Sequence, residues 1–114
     1  MTNPMVDQLR ELALSMPGAW EDHPWHPVDS VYKNAKGKIF LFLGEDDQGA
    51  HATVKLTPEE NVAALTLPFV EVAPYVGRYG WVLARLREQP ELEVTLEWVG
   101  RSYDLVSGKR KAKS

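Results

Sequence analysis

Residues 89–106, "QPELEVTLEWVGRSYDLV", decide the fold, because two periodicities compete in them. Leu92, Val94, Leu96 and Trp98 alternate as the side chains of a strand do. Leu92, Leu96, Val99, Tyr103 and Val106 instead step by four and three, as on one face of a helix. The helical spacing covers more of the segment. Pro90 suits a first helical turn, and Glu91 and Glu93 suit the positive end of a helix dipole. The spacing therefore predicts a helix over residues 90–106. A helix there needs a sheet to cover.

That sheet is written upstream. "SVYKN" (30–34) alternates, and "AKGK" (35–38) supplies a glycine-containing turn. "KIFLFLG" (38–44) is a continuous apolar run, as expected of a central strand covered on both faces. "GEDDQG" (44–49) is an acidic turn with a glycine at each end. "AHATVKL" (50–56) sets Ala50, Ala52, Val54 and Leu56 opposite His51, Thr53 and Lys55. Turns this short imply an antiparallel meander. In "TPEENVAAL" (57–65), Thr57 and Glu60 have capping-box spacing and Pro58 holds the first helical position. Val62, Ala63 and Leu65 are its expected buried side. "FVEVA" (69–73) and "WVLARL" (81–86) read as a short and a longer strand.

The chain opens with "MTNPMVDQLRELALSM", an amphipathic helix with Asn3 as cap, Pro4 in the first turn and Val6, Leu9, Leu12, Ala13 and Met16 on one face. Pro17 and Gly18 end it. "AWEDHPWHPVD" (19–29) reads as a loop, since Pro24 and Pro27 disfavour regular structure, with Trp20 and Trp25 pinning it to the body. The expected order is α-β-β-β-α-β-β-α. This is an α+β two-layer sandwich, with helices on one face of an antiparallel sheet and the other face partly open.

The 114 residues suit one domain over 1–107, followed by a basic, solvated tail over 108–114. There is no cysteine, which excludes disulfides, thiolate metal sites and cysteine nucleophiles. No apolar run reaches the roughly 20 residues of a membrane span. The N-terminus lacks the basic start and small-residue cleavage site of a signal peptide, so a cytoplasmic protein is expected. Net charge is −3, but Lys109, Arg110, Lys111 and Lys113 crowd the tail. Without those four, nine basic residues face sixteen acidic ones, and the body stands at −7.

Few residues suggest catalysis. His23 and His26, beside Glu21 and Asp22, could ligate a metal, but Pro24 and Pro27 forbid the helix that would align them. A structural loop is the expected reading, with no metal and no cofactor. Ser15, Ser30, Ser102 and Ser107 lack a nucleophile-elbow context. "GEDDQG" is not a complete calcium loop, and no phosphate loop is present. The chain is expected not to be an enzyme.

The cations are more suggestive. Lys33, Lys36 and Lys38 surround the first hairpin turn, Lys55 ends the third strand, and Arg78 and Arg85 flank the last one. If register brings them to one surface, they could engage phosphates. Otherwise they keep a sheet face and its edges soluble. "YVGRYGW" (75–81) offers Tyr75, Tyr79 and Trp81 as rings that could stack on bases or seal the sheet edge. Its two glycines permit a turn of unusual backbone geometry.

Four pieces also resemble the MmcQ/YjbR family of small bacterial proteins, in that family's order. They are "MPGAWEDHPW", "VYKNAKGKIFLFL", "YVGRYGWV" and "SYDLV". The resemblance implies a fold akin to the secretion-chaperone and frataxin-like sandwiches. It also implies DNA binding through a double wing of β-hairpins, with the Lys36–Gly37 turn as one wing and Arg78 and Trp81 near the family's late turn. Three expectations from different classes follow. The leading one is a non-enzymatic, DNA-binding protein in which Lys33, Lys36, Lys38, Lys55, Arg78 and Arg85 contact phosphate and Tyr79 or Trp81 stacks. The alternative is a protein-interaction or chaperone-like module using an open sheet face or a dimer interface. A small-molecule site around Trp20, Trp25 and Trp81 is a third.

Overall fold

Gln89–Val106 form one helix of 18 residues, which settles the deciding segment. The computed structural model describes residues 3–23, 30–74 and 76–108. In chain order the elements are α1 (Pro4–Ser15), β1 (Trp20–Asp22), β2 (Ser30–Lys33), β3 (Ile39–Asp46), β4 (Gly49–Lys55), α2 (Pro58–Ala64), β5 (Val70–Val72), β6 (Trp81–Leu86) and α3 (Gln89–Val106), with a 3₁₀ turn at Gly77–Tyr79 before β6. The six strands form one antiparallel sheet in the order β1-β2-β3-β4-β6-β5. The α+β sandwich expected from the sequence is the architecture found.

Register explains the layers. Ala50 faces Leu86, Ala52 faces Ala84 and Val54 faces Val82, so one side of β4 and β6 is a field of small and branched residues. On it lie Leu9 and Ala13 of α1 and Leu92 and Val99 of α3, all fully buried. Alanines under the helices allow close approach of helix to sheet, which is how dense packing is reached. The opposite side carries a smaller apolar cluster of Ala73, Trp81 and Leu83, flanked by Ile39, Phe42 and Val76. Val31 and Thr53 on that side are buried too. The second face is therefore less open than the alternation suggested. Among the described residues no helix is long and apolar enough to cross a membrane.

Two buried polar residues of α3 do what its apolar stripe does not announce. Thr95 donates its hydroxyl to Glu91 O within the helix (2.8 Å). Ser102 reaches into the sheet: its Oγ donates to Phe40 O at 2.7 Å and accepts from Lys55 N–H at 2.9 Å. The β3–β4 ladder pairs Phe42 with Thr53, and continuing that register would set Phe40 opposite Lys55. The strands separate there, and the Ser102 hydroxyl stands between the two backbone groups.

Two details differ from the sequence reading. Trp20–Asp22 is a strand, β1, pairing with β2 through Trp20↔Lys33, Glu21↔Tyr32 and Asp22↔Val31. Three residues carry no usable periodicity, and it is the free edge of β2 that makes them extended. In α2, Ala64 is the buried residue, whereas Val62 is 69% exposed and Ala63 and Leu65 are also exposed. A helix of seven residues is too short for its apolar positions to set its phase. Its capped side turns inward instead. Thr57 and Glu60 complete the capping box, and Glu60 Oε2 accepts from Arg101 Nε of α3 at 2.8 Å.

That contact gives a pH dependence. Burial alone would raise the Glu60 carboxyl, but hydrogen bonds from Thr57 and Arg101 outweigh it and hold the group below its usual 4.5. A carboxyl lowered on folding stabilises above its unfolded value, and that stability is lost as pH falls through the folded one. Acid unfolding of the Glu60→Gln protein should thus begin at lower pH relative to its own neutral-pH stability. Urea melts at neutral pH and near pH 3 test this. An unchanged difference between the two pH values would refute it.

Candidate nucleic-acid interface

Antiparallel pairing sends the end of β2, the start of β3, the end of β4 and the start of β6 to the same edge of the molecule. Lys33, Lys36, Lys38, Lys55, Arg78, Tyr79 and Trp81 all lie there. Arg85 does not. It lies toward the other end of β6, opposite His51, where Asp46 and Glu71 hold its guanidinium at 3.2 and 2.9 Å and keep its pKa above the ordinary arginine value. That far end also carries the acidic β3–β4 turn with Glu45, Asp46 and Asp47. The acidic turn thus lies at the end of the strands away from the lysine turn, an arrangement invisible in a net charge of −3.

The basic end has one neutralised cation and four that are not. Lys33 Nζ donates to Asp22 Oδ2 at 2.8 Å and lies 5.1 Å from the centroid of the Trp20 ring. Hydrogen bonds from Lys33 and the His23 backbone N–H hold the Asp22 carboxyl below its usual range. Lys36, Lys38, Lys55 and Arg78 make no ion pair among the described residues. Lys36, Lys38 and Arg78 are exposed, and Lys55 is partly so.

The lysine turn is built on Asn34, which the sequence reading passed over. Asn34 Oδ1 accepts from the N–H groups of both Lys36 and Lys38 at 3.0 Å, and its own N–H donates to Lys38 O at 2.9 Å. Its Nδ2 donates to Ser107 Oγ just past α3, and its carbonyl accepts from Trp20 Nε1, each at 3.2 Å. An Asn that satisfies its own turn is a known sequence cue, and "NAKGK" displays it. The two lysine backbones are fixed while their ammonium groups stay in water.

The 77–81 stretch answers to geometry rather than to a ligand. A Cβ on Gly77 would collide with Val72, and Gly80 holds φ at +95°, a backbone shape that side chains rarely adopt. The Gly80 carbonyl accepts from Leu56 N–H at 3.0 Å, fastening the turn to the end of β4. Of the two rings expected to stack, Trp81 is only 9% exposed, its ring edge-on to Phe42 at 5.5 Å. It seals the core of the second face. Tyr79 is 60% exposed, with the Arg78 guanidinium 5.4 Å from its centroid. Tyr75, Trp25, His26 and the tail from Lys109 onward lie outside the described residues. His23 pairs with Glu21 at 2.8 Å, and the described residues contain no group of three or more His, Asp or Glu fit to hold a metal ion.

A model of the YjbR family matches residues 14–105, from the end of α1 to the last turn of α3. The chain belongs to the YjbR family. Among solved structures, it resembles a Deinococcus radiodurans protein with a DUF419 domain, at 20% identity and a TM-score of 0.78, covering 99% of this chain and 87% of that one. It also resembles a Pseudomonas syringae protein at 18% identity and a TM-score of 0.70, covering 92% of this chain and 98% of the other. Identities this low speak to the fold. No protein of curated function matches the chain. The sandwich is thus shared with these proteins, and a shared fold by itself fixes no function.

Proposed function

We propose that this YjbR protein binds nucleic acid through the basic end of its sheet and catalyses no reaction. The reading is carried by one observation: Lys36, Lys38, Lys55 and Arg78 share that end, and none has a carboxylate partner among the described residues. Cations so gathered serve phosphate, because neutralising phosphates releases condensed counterions and supplies the main drive to bind. The acidic opposite end opposes binding elsewhere on the molecule and so orients the complex. Lys33 contributes once a phosphate displaces Asp22, whereas Arg85 is committed to Asp46 and Glu71 and takes no part.

Salt dependence tests the proposal. Four phosphate contacts give a plot of log affinity against log salt with a slope of about −3 to −4. Fluorescence anisotropy with a labelled oligonucleotide reads this slope. Absence of any complex at low salt would overturn the proposal. So would a complex that vanishes when residues 109–114 are removed.

A further inference from the structure

The rings at the basic end narrow the kind of nucleic acid. We infer that this surface takes single strands, with bases stacking on Trp20 and Tyr79, and this rests on the nucleic-acid reading above. Trp20 was expected to pin a loop or to line a small-molecule site. It is instead the first residue of β1, paired with Lys33 and 43% exposed. Its Nε1 donates to Asn34 O, so the ring is tethered to the backbone of the lysine turn. Trp20 and Tyr79 are the exposed large aromatic residues among the described ones, and both lie at this end.

Register sets them in a row with the cations between. Trp20 pairs with Lys33, Lys33 with Ile39, and Lys55 with Trp81, whose neighbours across Gly80 are Tyr79 and Arg78. From β1 to β6 are four inter-strand steps, about 20 Å in all. Lys33, Lys36, Lys38 and Lys55 therefore stand between one ring and the other. A backbone running across the strand ends would meet cations along its length and a ring near each end. Duplex DNA keeps its bases stacked inside and has nothing to offer an exposed ring unless it is unpaired. Aromatic stacking combined with a basic track is the physics of single-strand binding, and it is tolerant of sequence because every base has a π-face.

Competition between a short oligothymidylate and a hairpin duplex of equal phosphate number, at one salt concentration, tests the inference. The single strand should bind at least about tenfold more tightly, each stacked ring being worth about that much. Tyr79→Leu, which keeps an apolar side chain but removes the ring, should remove about tenfold of single-strand affinity and leave duplex affinity unchanged. Tyr79→Phe should restore it. Trp20→Leu should likewise lose single-strand affinity and leave duplex affinity unchanged. Duplex binding equal to or tighter than single-strand binding would overturn the inference, as would an inert Tyr79→Leu, while salt-dependent binding itself survived. Failure to bind either probe would overturn this inference and the proposed function together.

Discussion

Replacing Ser102 by alanine should lower the unfolding free energy by about 3 kcal/mol, more than its small size suggests. The hydroxyl is fully buried and serves two backbone groups at once, Phe40 O and Lys55 N–H. Removing it strands one acceptor and one donor, each costing about 1–3 kcal/mol when left unpaired. Alanine's better helix propensity returns only about half a kcal/mol. Urea denaturation gives the free-energy change, and exchange of the Lys55 amide gives its location. Faster exchange at Lys55 with the amides of β6 unaffected is expected. A loss below about 1 kcal/mol, with Lys55 still protected, would mean that the strands close on each other and need no wedge. Ser102→Thr is no safe control, since an added methyl in a filled site costs about 1–3 kcal/mol by overpacking.

Ser102 also marks where sequence reading stops. The helical phase of α3 was legible, because Leu92 and Val99 recur at helical spacing and both are buried. Thr95 and Ser102 fill the same stripe, yet their hydroxyls read as solvent-facing until a gap between β3 and β4 is known to need one. The same limit applies to α2. Three apolar residues there are exposed, and the side toward α3 carries Glu60, whose ion pair with Arg101 no local pattern encodes. Strand β1 was invisible for a related reason: its pairing partner, not its composition, makes it extended.

The candidate site was legible as a set of residue types but not as an arrangement. Short turns made β2, β3 and β4 antiparallel, which puts Lys36, Lys38 and Lys55 at one end of the sheet. Arg78 joins them only because β6 pairs antiparallel with β4 across the intervening α2 and β5. The partners of the remaining cations were beyond reach. Lys33 meets Asp22 only because Trp20–Asp22 pairs as a strand, and Arg85 meets Asp46 only across β4. The rings reversed for the same cause. Trp81, the more conspicuous in "YVGRYGW", turns inward, and Trp20, buried among prolines in the text, stays half in water.

Charge reversal separates an end-specific surface from a diffuse attraction. Lys36→Glu with Lys38→Glu should weaken nucleic-acid binding by at least about 100-fold near 0.1 M salt, because two contacts are lost and each is worth roughly tenfold there. The salt slope should become shallower by about two. Among the described residues neither ammonium group has an ion-pair partner whose loss would unsettle the fold, and the Asn34 clasp uses only their backbone N–H groups. Arg87→Glu is the control for a single reversal, set beside Lys36→Glu alone, since each changes the net charge by two units. Arg87 is exposed, follows the last residue of β6, and lies about 20 Å along the strand from the basic end. At 0.1 M salt the Debye length is about 10 Å, so a reversal there is largely screened from a ligand on Lys36. Equal losses from Arg87→Glu and Lys36→Glu, which change the charge equally, would show that net charge alone governs binding. A loss confined to the lysine turn would trace the interaction to the geometry that Asn34 and the antiparallel register impose.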